Sequence, residues 1–415
     1  MVEQEKVILI GADFGAYDAE RSMDELWALA ESDELTPVAT ALQKREKIDT
    51  ATYLGKGKLE EIKQLIETEE VDYCIFDAEL SGMQIRNIEK ILECEIMDRT
   101  MLILDIFNKR AVTNEGKLQT ELAKLQYRLP RLSGLGASLS RQGGGGGGGG
   151  GARRGAGESR LEYDRRHIRR RITYIQSKLK EAETRKSETR RKREKNGVPL
   201  IALVGYTNVG KSSLLNAITG AEVEAADKLF ATLDPTARSA FLPSGQQVIF
   251  IDTVGFVSRL PHHLVEAFKN TLEEAKYADI LLCVCDAADD EAQEQLKVTD
   301  EVLKSLEADG ERIIVYNKAD KLFIAPQNSK GVFVSAKTKQ GLNELLKKID
   351  EILADRVQTV NLVLPYNKIG LAAPLNESGA VKQESYEEDG LHITATVQKK
   401  DMAKYIPYIL HSKEE

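Results

Sequence analysis

The segment Gly205-Tyr206-Thr207-Asn208-Val209-Gly210-Lys211-Ser212 follows the apolar run Pro199 to Val204 and precedes the helical pattern Ser213 to Ile218. A strand that feeds a glycine-containing loop opening a helix aims several backbone N–H groups and the positive helix end at one point, which suits a phosphate chain. In that arrangement Lys211 reaches the β and γ phosphates, and the Ser212 hydroxyl ligates magnesium with Ser213 beside it.

Three further signatures follow in chain order. Asp252-Thr253-Val254-Gly255 closes the apolar strand Val248 to Ile251, so that Asp252 can hold the magnesium through water and the Gly255 N–H can sense a γ phosphate. Asn317-Lys318-Ala319-Asp320 follows the strand Arg312 to Tyr316. A carboxylate at Asp320 can accept from both N1–H and the 2-amino group of guanine, donors that adenine lacks on that edge, which predicts GTP and GDP over ATP. Ser335-Ala336-Lys337, after the strand Val332 to Val334, offers backbone N–H groups to the guanine O6. Each of the later three is weak alone, because Asp, Asn and Gly are ordinary turn residues. Their order predicts a GTP-hydrolysing enzyme.

Between the first two signatures lies Phe230-Ala231-Thr232-Leu233-Asp234-Pro235-Thr236. A threonine hydroxyl here completes the magnesium shell only when a γ phosphate is present, which makes the segment a sensor. Thr232 and Thr236 both qualify, and position favours Thr232. The expected metal ligands are therefore Ser212, Thr232 and Asp252, and the expected catalytic set is Lys211, Thr232, Gly255 and Asn208. Phe256 stands where many switch GTPases carry a glutamine that orients the attacking water. Hydrolysis by the chain alone should then be slow, and the Phe256 ring is equally suited to core packing. Asn208 resembles the asparagine with which potassium-dependent relatives hold K⁺ beside the phosphates, and asparagine is also a common loop residue.

The sequence has 415 residues, too many for one ordinary core, and a net charge of −8. It contains no run of eighteen apolar residues, and its first residues lack the basic and apolar regions of a signal peptide. A cytoplasmic protein without stable membrane insertion is expected. Cys74, Cys94, Cys283 and Cys285 show no CxxC spacing and read as reduced core thiols.

Residues 1–109 alternate apolar runs with amphipathic stretches. Val7 to Ile10, Pro37 to Thr40, Val71 to Phe76 and Met101 to Phe107 read as strands, and Ser22 to Leu29, Lys58 to Ile66 and Met83 to Leu92 as helices. That pattern predicts an α/β domain with a largely parallel sheet. Gly55-Lys56-Gly57-Lys58 opens one helix, either as a simple turn or as a seat for a phosphate or RNA backbone.

Residues 110–197 differ in kind. Leu118, Leu122, Leu125, Leu129 and Leu132 recur at spacings of four and three, and Leu161, Ile168, Ile172, Ile175 and Leu179 do so beyond a connection containing Gly143 to Gly151. Two such seams predict an antiparallel helical hairpin whose glycine-rich tip holds no single conformation unaided. Arginines from Arg128 to Arg171 greatly outnumber Glu158, Glu162 and Asp164 around that tip. A local arginine-dominated arm on an acidic chain points to structured RNA more than to DNA or a solvated face. Residues 198–356 make the P-loop domain, and residues 357–415, with strand patterns at Val360 to Leu364 and Leu391 to Val397, a small α+β domain.

Taken together the chain resembles the HflX family of ribosome-associated GTPases. The most specific matches outside the nucleotide motifs are Leu139-Ser-Arg-Gln-Gly-Gly144 and Arg154-Gly-Ala-Gly-Glu158. The resemblance implies a monomer that binds the large ribosomal subunit and its rRNA and splits stalled or idle ribosomes, particularly in stress. It also implies a hairpin tip directed toward the peptidyl-transferase region. The chain departs from the family pattern at that tip, where the glycine run is longer and Ala156 stands in place of a usual proline. A large-subunit assembly GTPase, or an RNA-binding or remodelling protein regulated by GTP, are the alternatives, the last with ATP as a candidate ligand of the first domain.

Overall fold

A computed structural model describes residues 5–15, 17–141, 151–220, 230, 236–257, 274–322, 330–354, 357–377, 380–399 and 401–410. Their contacts gather into two units. The first comprises the described residues up to 183 together with Phe230 and Val257, and the second comprises the remainder.

In the first unit, β1 (Lys6–Asp13), β2 (Thr36–Lys44), β3 (Tyr73–Phe76) and β4 (Glu95–Asp98) form a fully parallel sheet in the order β2-β1-β3-β4. Val7 to Ile10 are completely buried, as expected of a central parallel strand whose faces are both covered by helices. The covering helices are α1 (Ala19–Ser32), α2 (Lys56–Glu69) and α3 (Gly82–Leu92). The start of α3 is fixed by a reciprocal capping box between Ser81 and Gln84.

One expected strand is corrected. Met101 to Phe107 lies inside α4 (Arg99–Arg110), and the fourth strand is the shorter Glu95–Asp98 just before it. The Asp98 side chain accepts from the Met101 N–H and so starts a helix where the apolar run begins. A short apolar run buried on most sides carries no period that separates strand from helix.

Arg99, the first residue of α4, is buried with its charge compensated. Its guanidinium meets Asp77 at 2.7 Å and Glu25 at 2.6 Å, and Ser22 donates to the second Asp77 oxygen at 2.7 Å. This network joins the end of β3 to α1 and α4. Burial alone would lower its pKa, but the two carboxylates outweigh it and leave Arg99 firmly charged.

The arm consists of α5 (Asn114–Arg141) and α6 (Gly151–Asn196). Leu118, Leu122 and Leu125 pack with Ile172, Ile175 and Leu179, and Arg171 forks onto Glu121 with two contacts of 2.7 Å. The backbone of α6 is already helical through Ala152–Glu158, where glycine content predicts an irregular connection. Gly143 to Gly150 lie outside the described residues. The base of α5 is tied to the sheet by the Tyr127 hydroxyl, which donates to buried Asp98, and by Arg131, which sits 3.3 Å over the Tyr127 ring and donates to the Leu80 carbonyl at 2.9 Å.

The second unit holds a six-stranded sheet in the order β10-β9-β8-β5-β7-β6. Its strands are β5 (Leu200–Gly205), β6 (Thr236–Phe241), β7 (Gln247–Asp252), β8 (Ile280–Asp286), β9 (Glu311–Asn317) and β10 (Val332–Phe333), and only β6 runs antiparallel to its neighbour. Helices α7 (Lys211–Thr219), α8 (Ala292–Ser305) and α9 (Leu342–Ala354) accompany it, with Leu203, Phe250, Leu282 and Val315 in its core. The end of α6 is anchored here, Arg190 lying 3.4 Å over the Tyr277 ring.

The chain closes with an antiparallel sheet, β11 (Val357–Leu364), β13 (Gly390–Gln398) and β12 (Val381–Glu387) in that spatial order, backed by α10 (Ala373–Glu377) and α11 (Met402–Tyr405). No helix among the described residues is long and apolar enough to cross a membrane.

Candidate functional site

The four signatures converge at the C-terminal ends of β5, β7, β9 and β10, the edge of an open α/β sheet where ligands bind. The loop after β5 leads directly into α7, whose preceding residue Gly210 has φ +84°; a Cβ there would stand 2.5 Å from Asn317 Nδ2. Glycine is required both by the backbone angle and by the close approach of the neighbouring loop.

Lys211 is buried, and its ammonium donates to the Gly205 and Tyr206 carbonyls at 3.1 and 2.7 Å. Burial pushes its pKa down to about 8, against the opposing attraction of the Asp252 carboxylate. The Ser212 hydroxyl donates to Asp252 Oδ2 at 2.5 Å. A hydroxyl and a carboxylate meeting at one point beside a cation form a hard oxygen donor set, and that set fits magnesium.

The segment after β7 is stitched to the phosphate loop by its main chain. Phe256 N–H donates to the Gly205 carbonyl at 3.1 Å, and Thr207 N–H donates to the Phe256 carbonyl at 2.7 Å. The Phe256 ring is buried, and Thr253 is held by its hydroxyl on the Leu203 carbonyl at 2.7 Å. A Cβ on Gly255 would meet Thr207 Cα at 2.8 Å and Lys211 Nζ at 2.9 Å, so only glycine lets these two loops touch. Val254 is buried beside it.

Asn317 acts as a brace between three segments. Its amide nitrogen donates to the Val209 carbonyl at 2.8 Å, while its amide oxygen accepts from Ala336 N–H at 3.1 Å. Ser335 is fully buried and donates to the Asp320 carboxylate at 2.6 Å, which holds that carboxyl below its ordinary range and therefore ionised. Ala319 N–H is taken by the Val334 carbonyl at 3.0 Å, and Lys337 follows at the exposed rim.

Asp286 lies outside the sequence motifs but joins the site through Lys318. Lys318 donates to the Asn208 carbonyl at 2.8 Å and pairs with Asp286, at the end of β8, at 2.8 Å. The only signal for Asp286 was its place as the acid ending an apolar strand. Ala231, Thr232, Leu233 and Asp234 lie outside the described residues. Phe230 is buried against Phe107 of α4, their rings edge to face with centroids 4.5 Å apart.

Three family models match in succession: "GTP-binding GTPase N-terminal" over residues 20–108, "GTP-binding GTPase Middle Region" over 110–193, and "50S ribosome-binding GTPase" over 200–318. The GTPase HflX of Caldanaerobacter subterraneus subsp. tengcongensis is 49% identical over 397 residues, covering 95% of this chain and 91% of the relative. The chain belongs to the HflX family of GTPases. The Escherichia coli K12 GTPase HflX is 39% identical over 395 residues, covering 93% of this chain and 92% of that one. Among solved structures, a GTP-binding protein from Sulfolobus solfataricus in complex with GDP is similar at 24% identity and a TM-score of 0.46, covering 85% of this chain and 99% of that one. Membership of the HflX family makes the chain a GTP-hydrolysing enzyme, and its own fold is of α/β architecture with a P-loop domain.

Proposed function

We propose that this HflX GTPase binds the large ribosomal subunit in its GTP form and separates stalled or idle ribosomes into subunits. The observation that carries the RNA side of the reading is the exposed face of α6, where Tyr163, Arg166, Arg169, Arg170 and Tyr174 stand in water on the arm. Arginine planes and aromatic rings alternating on one helix suit phosphates and unstacked bases, and solvation alone does not call for aromatics there. The description of the matched nucleotide-domain model as a 50S ribosome-binding GTPase supports the large subunit as the partner.

At the nucleotide, Lys211 gives up its carbonyl contacts for the β and γ phosphates, and Asp320, set by Ser335, accepts from the guanine edge. Ser212, Asp252 and Thr232 are assigned as the residues that hold magnesium, which when bound neutralises charge on the phosphate oxygens. Gly255 donates its N–H to the γ phosphate and reports its presence through the Thr207 and Phe256 main chains. Asn208 is exposed at the rim with its carbonyl engaged by Lys318, which leaves its side chain as the group assigned to a potassium ion. Phe256 has no group that could polarise water, so the ribosome supplies that positioning. Binding of the ordered GTP form offsets the cost of separating the subunits, and hydrolysis weakens the complex.

The test is GTP turnover in potassium and magnesium, with and without purified large subunits, alongside light scattering of intact ribosomes. Stimulated turnover with a fall in scattering is expected. Stimulation without splitting would favour a role in large-subunit assembly, and no stimulation would favour an RNA-remodelling role.

A further inference from the structure

Three hydroxyls of the nucleotide loops have partners: Ser212 donates to Asp252, Thr253 to the Leu203 carbonyl and Ser335 to Asp320. The Thr207 hydroxyl differs. Only 5% of Thr207 is exposed, and its Oγ1 is buried with no hydrogen-bond partner among the described residues. Burying a hydroxyl forfeits its bonds to water, so a native chain rarely keeps one where nothing uses it. Valine has the same shape and avoids that cost, which makes the oxygen itself the feature to explain.

Its position narrows what could use it. Thr207 lies inside the phosphate loop, between β5 and α7. The main chain is held on both sides of its side chain: its N–H donates to the Phe256 carbonyl at 2.7 Å, and Asn208 follows at φ +59°, where the chain turns. A β-branched side chain on a held backbone has few rotamers. The Cα and the methyl carbon of Thr207 each stand 2.8 Å from the point that a Cβ on Gly255 would occupy, and the Lys211 ammonium nitrogen stands 2.9 Å from the same point. Oγ1 is carried on the same carbon as that methyl. The hydroxyl therefore belongs to the corner where Gly255 and Lys211, the two residues assigned to the γ phosphate, come together.

We propose that the Thr207 hydroxyl is a catalytic group that donates a hydrogen bond to an oxygen of the γ phosphoryl group of GTP and strengthens that bond as the group transfers to water. In the transfer the water oxygen bonds to phosphorus while the bond from phosphorus to the bridging oxygen breaks, and its electron pair leaves with GDP. One water proton stays on the new phosphate hydroxyl and the other passes to a phosphate oxygen. Negative charge spreads over the γ oxygens on the way, and a donor already fixed in a buried corner stabilises it without reorganising. GDP lacks the group that Thr207 meets, so the hydroxyl also separates GTP from GDP. Thr207 is thus the counterpart on the phosphate loop of Gly255 on the segment after β7.

The experiment takes the full-length protein, Thr207→Val and Thr207→Ser, and titrates each in magnesium with fluorescent GDP and with a non-hydrolysable imido analogue of GTP. Single-turnover GTP hydrolysis by the protein alone and the thermal midpoint without nucleotide complete the set. Thr207→Val should bind GDP as the parent does and the analogue about tenfold or more weakly, the worth of one donor to a charged oxygen, with hydrolysis slowed by at least that factor. It should melt no earlier than the parent, because no bond within the protein is lost. Thr207→Ser keeps the O–H and should restore both the analogue affinity and the rate. An equal loss of GDP and analogue, an unchanged analogue affinity, or a serine variant no better than valine would each overturn the proposal. The proposal rests on reading the loop as the seat of the GTP phosphates, and GDP binding by the parent tests that reading separately, since GDP does not use the hydroxyl.

Discussion

The Ser212 hydroxyl donates to the Asp252 carboxylate across 2.5 Å, joining the first turn of α7 to the end of β7. The same two oxygens are the ones assigned to magnesium, so each holds the other in place for it. Ser212→Ala should weaken GTP binding by about 1.5–3 kcal/mol, the worth of a charge-assisted contact, when magnesium is present. With the metal chelated, titration calorimetry should find the variant and the parent alike. Equal losses in both conditions would remove Ser212 from the metal site.

Lys211 makes nucleotide affinity depend on pH in a definite direction. Its pKa lies at about 8 without nucleotide, and a bound triphosphate raises it. Below about pH 8 the ammonium is already formed and affinity is flat. Above it the protein must take up a proton to bind, so affinity should fall by up to about tenfold per pH unit until the pKa of the complex is passed. Fluorescent-GDP titrations from pH 7 to 9.5 would read this, and a flat profile would contradict the burial of that amine.

Gly255→Ala places a methyl group 2.8 Å from Thr207 Cα and 2.9 Å from Lys211 Nζ. The backbone atom cannot yield cheaply, so the loop after β7 must move away from the phosphates. Turnover should fall by about 10²-fold or more, the scale of losing one transition-state donor. GDP affinity, which does not use that N–H, should change little. A variant with normal single-turnover hydrolysis would rule out the sensing role.

Asp320→Asn should exchange guanine for xanthine selectivity. The carboxylate held by Ser335 is the group proposed to accept two donors from guanine, so its loss should cost about 3–6 kcal/mol of GTP affinity at the charge-assisted scale. Competition of GTP and XTP for a labelled nucleotide measures the exchange directly.

Removing one partner of the buried trio in the first unit tests its stability. Asp77→Ala removes one of the two carboxylates paired with buried Arg99, at a cost of about 3–5 kcal/mol. Urea unfolding should show it, with the midpoint shifted and nucleotide binding by the native fraction intact.

The nucleotide site was legible because its chemistry dictates residue type and spacing together. Strand, loop and helix at Gly205 to Ile218 follow from the phosphate loop, and the order of the later motifs follows from the sheet that carries them. Lys318 on Asn208 and Asp286 was not legible, because a contact between three loop ends depends on how the strands are ordered in space. Met101 to Phe107 misled for a different reason. Its helical start is decided by the Asp98 cap, while the run itself is apolar on most sides. β12 was missed because Val381–Glu387 is largely polar and exposed, and only its pairing with β13 makes it a strand.

Phe230 stands two residues before Thr232 in the chain, yet its ring is buried on Phe107 and its backbone sits at φ +55°, an angle a phenylalanine seldom adopts unaided. A nucleotide domain cut out at residue 198 would therefore lack the Phe107 face on which this ring rests, just ahead of the residue proposed as its sensor. What looks in the sequence like a detachable module is, at this one ring, indebted to the helix that precedes it, and excised fragments should be compared with the whole chain before their rates are taken as native.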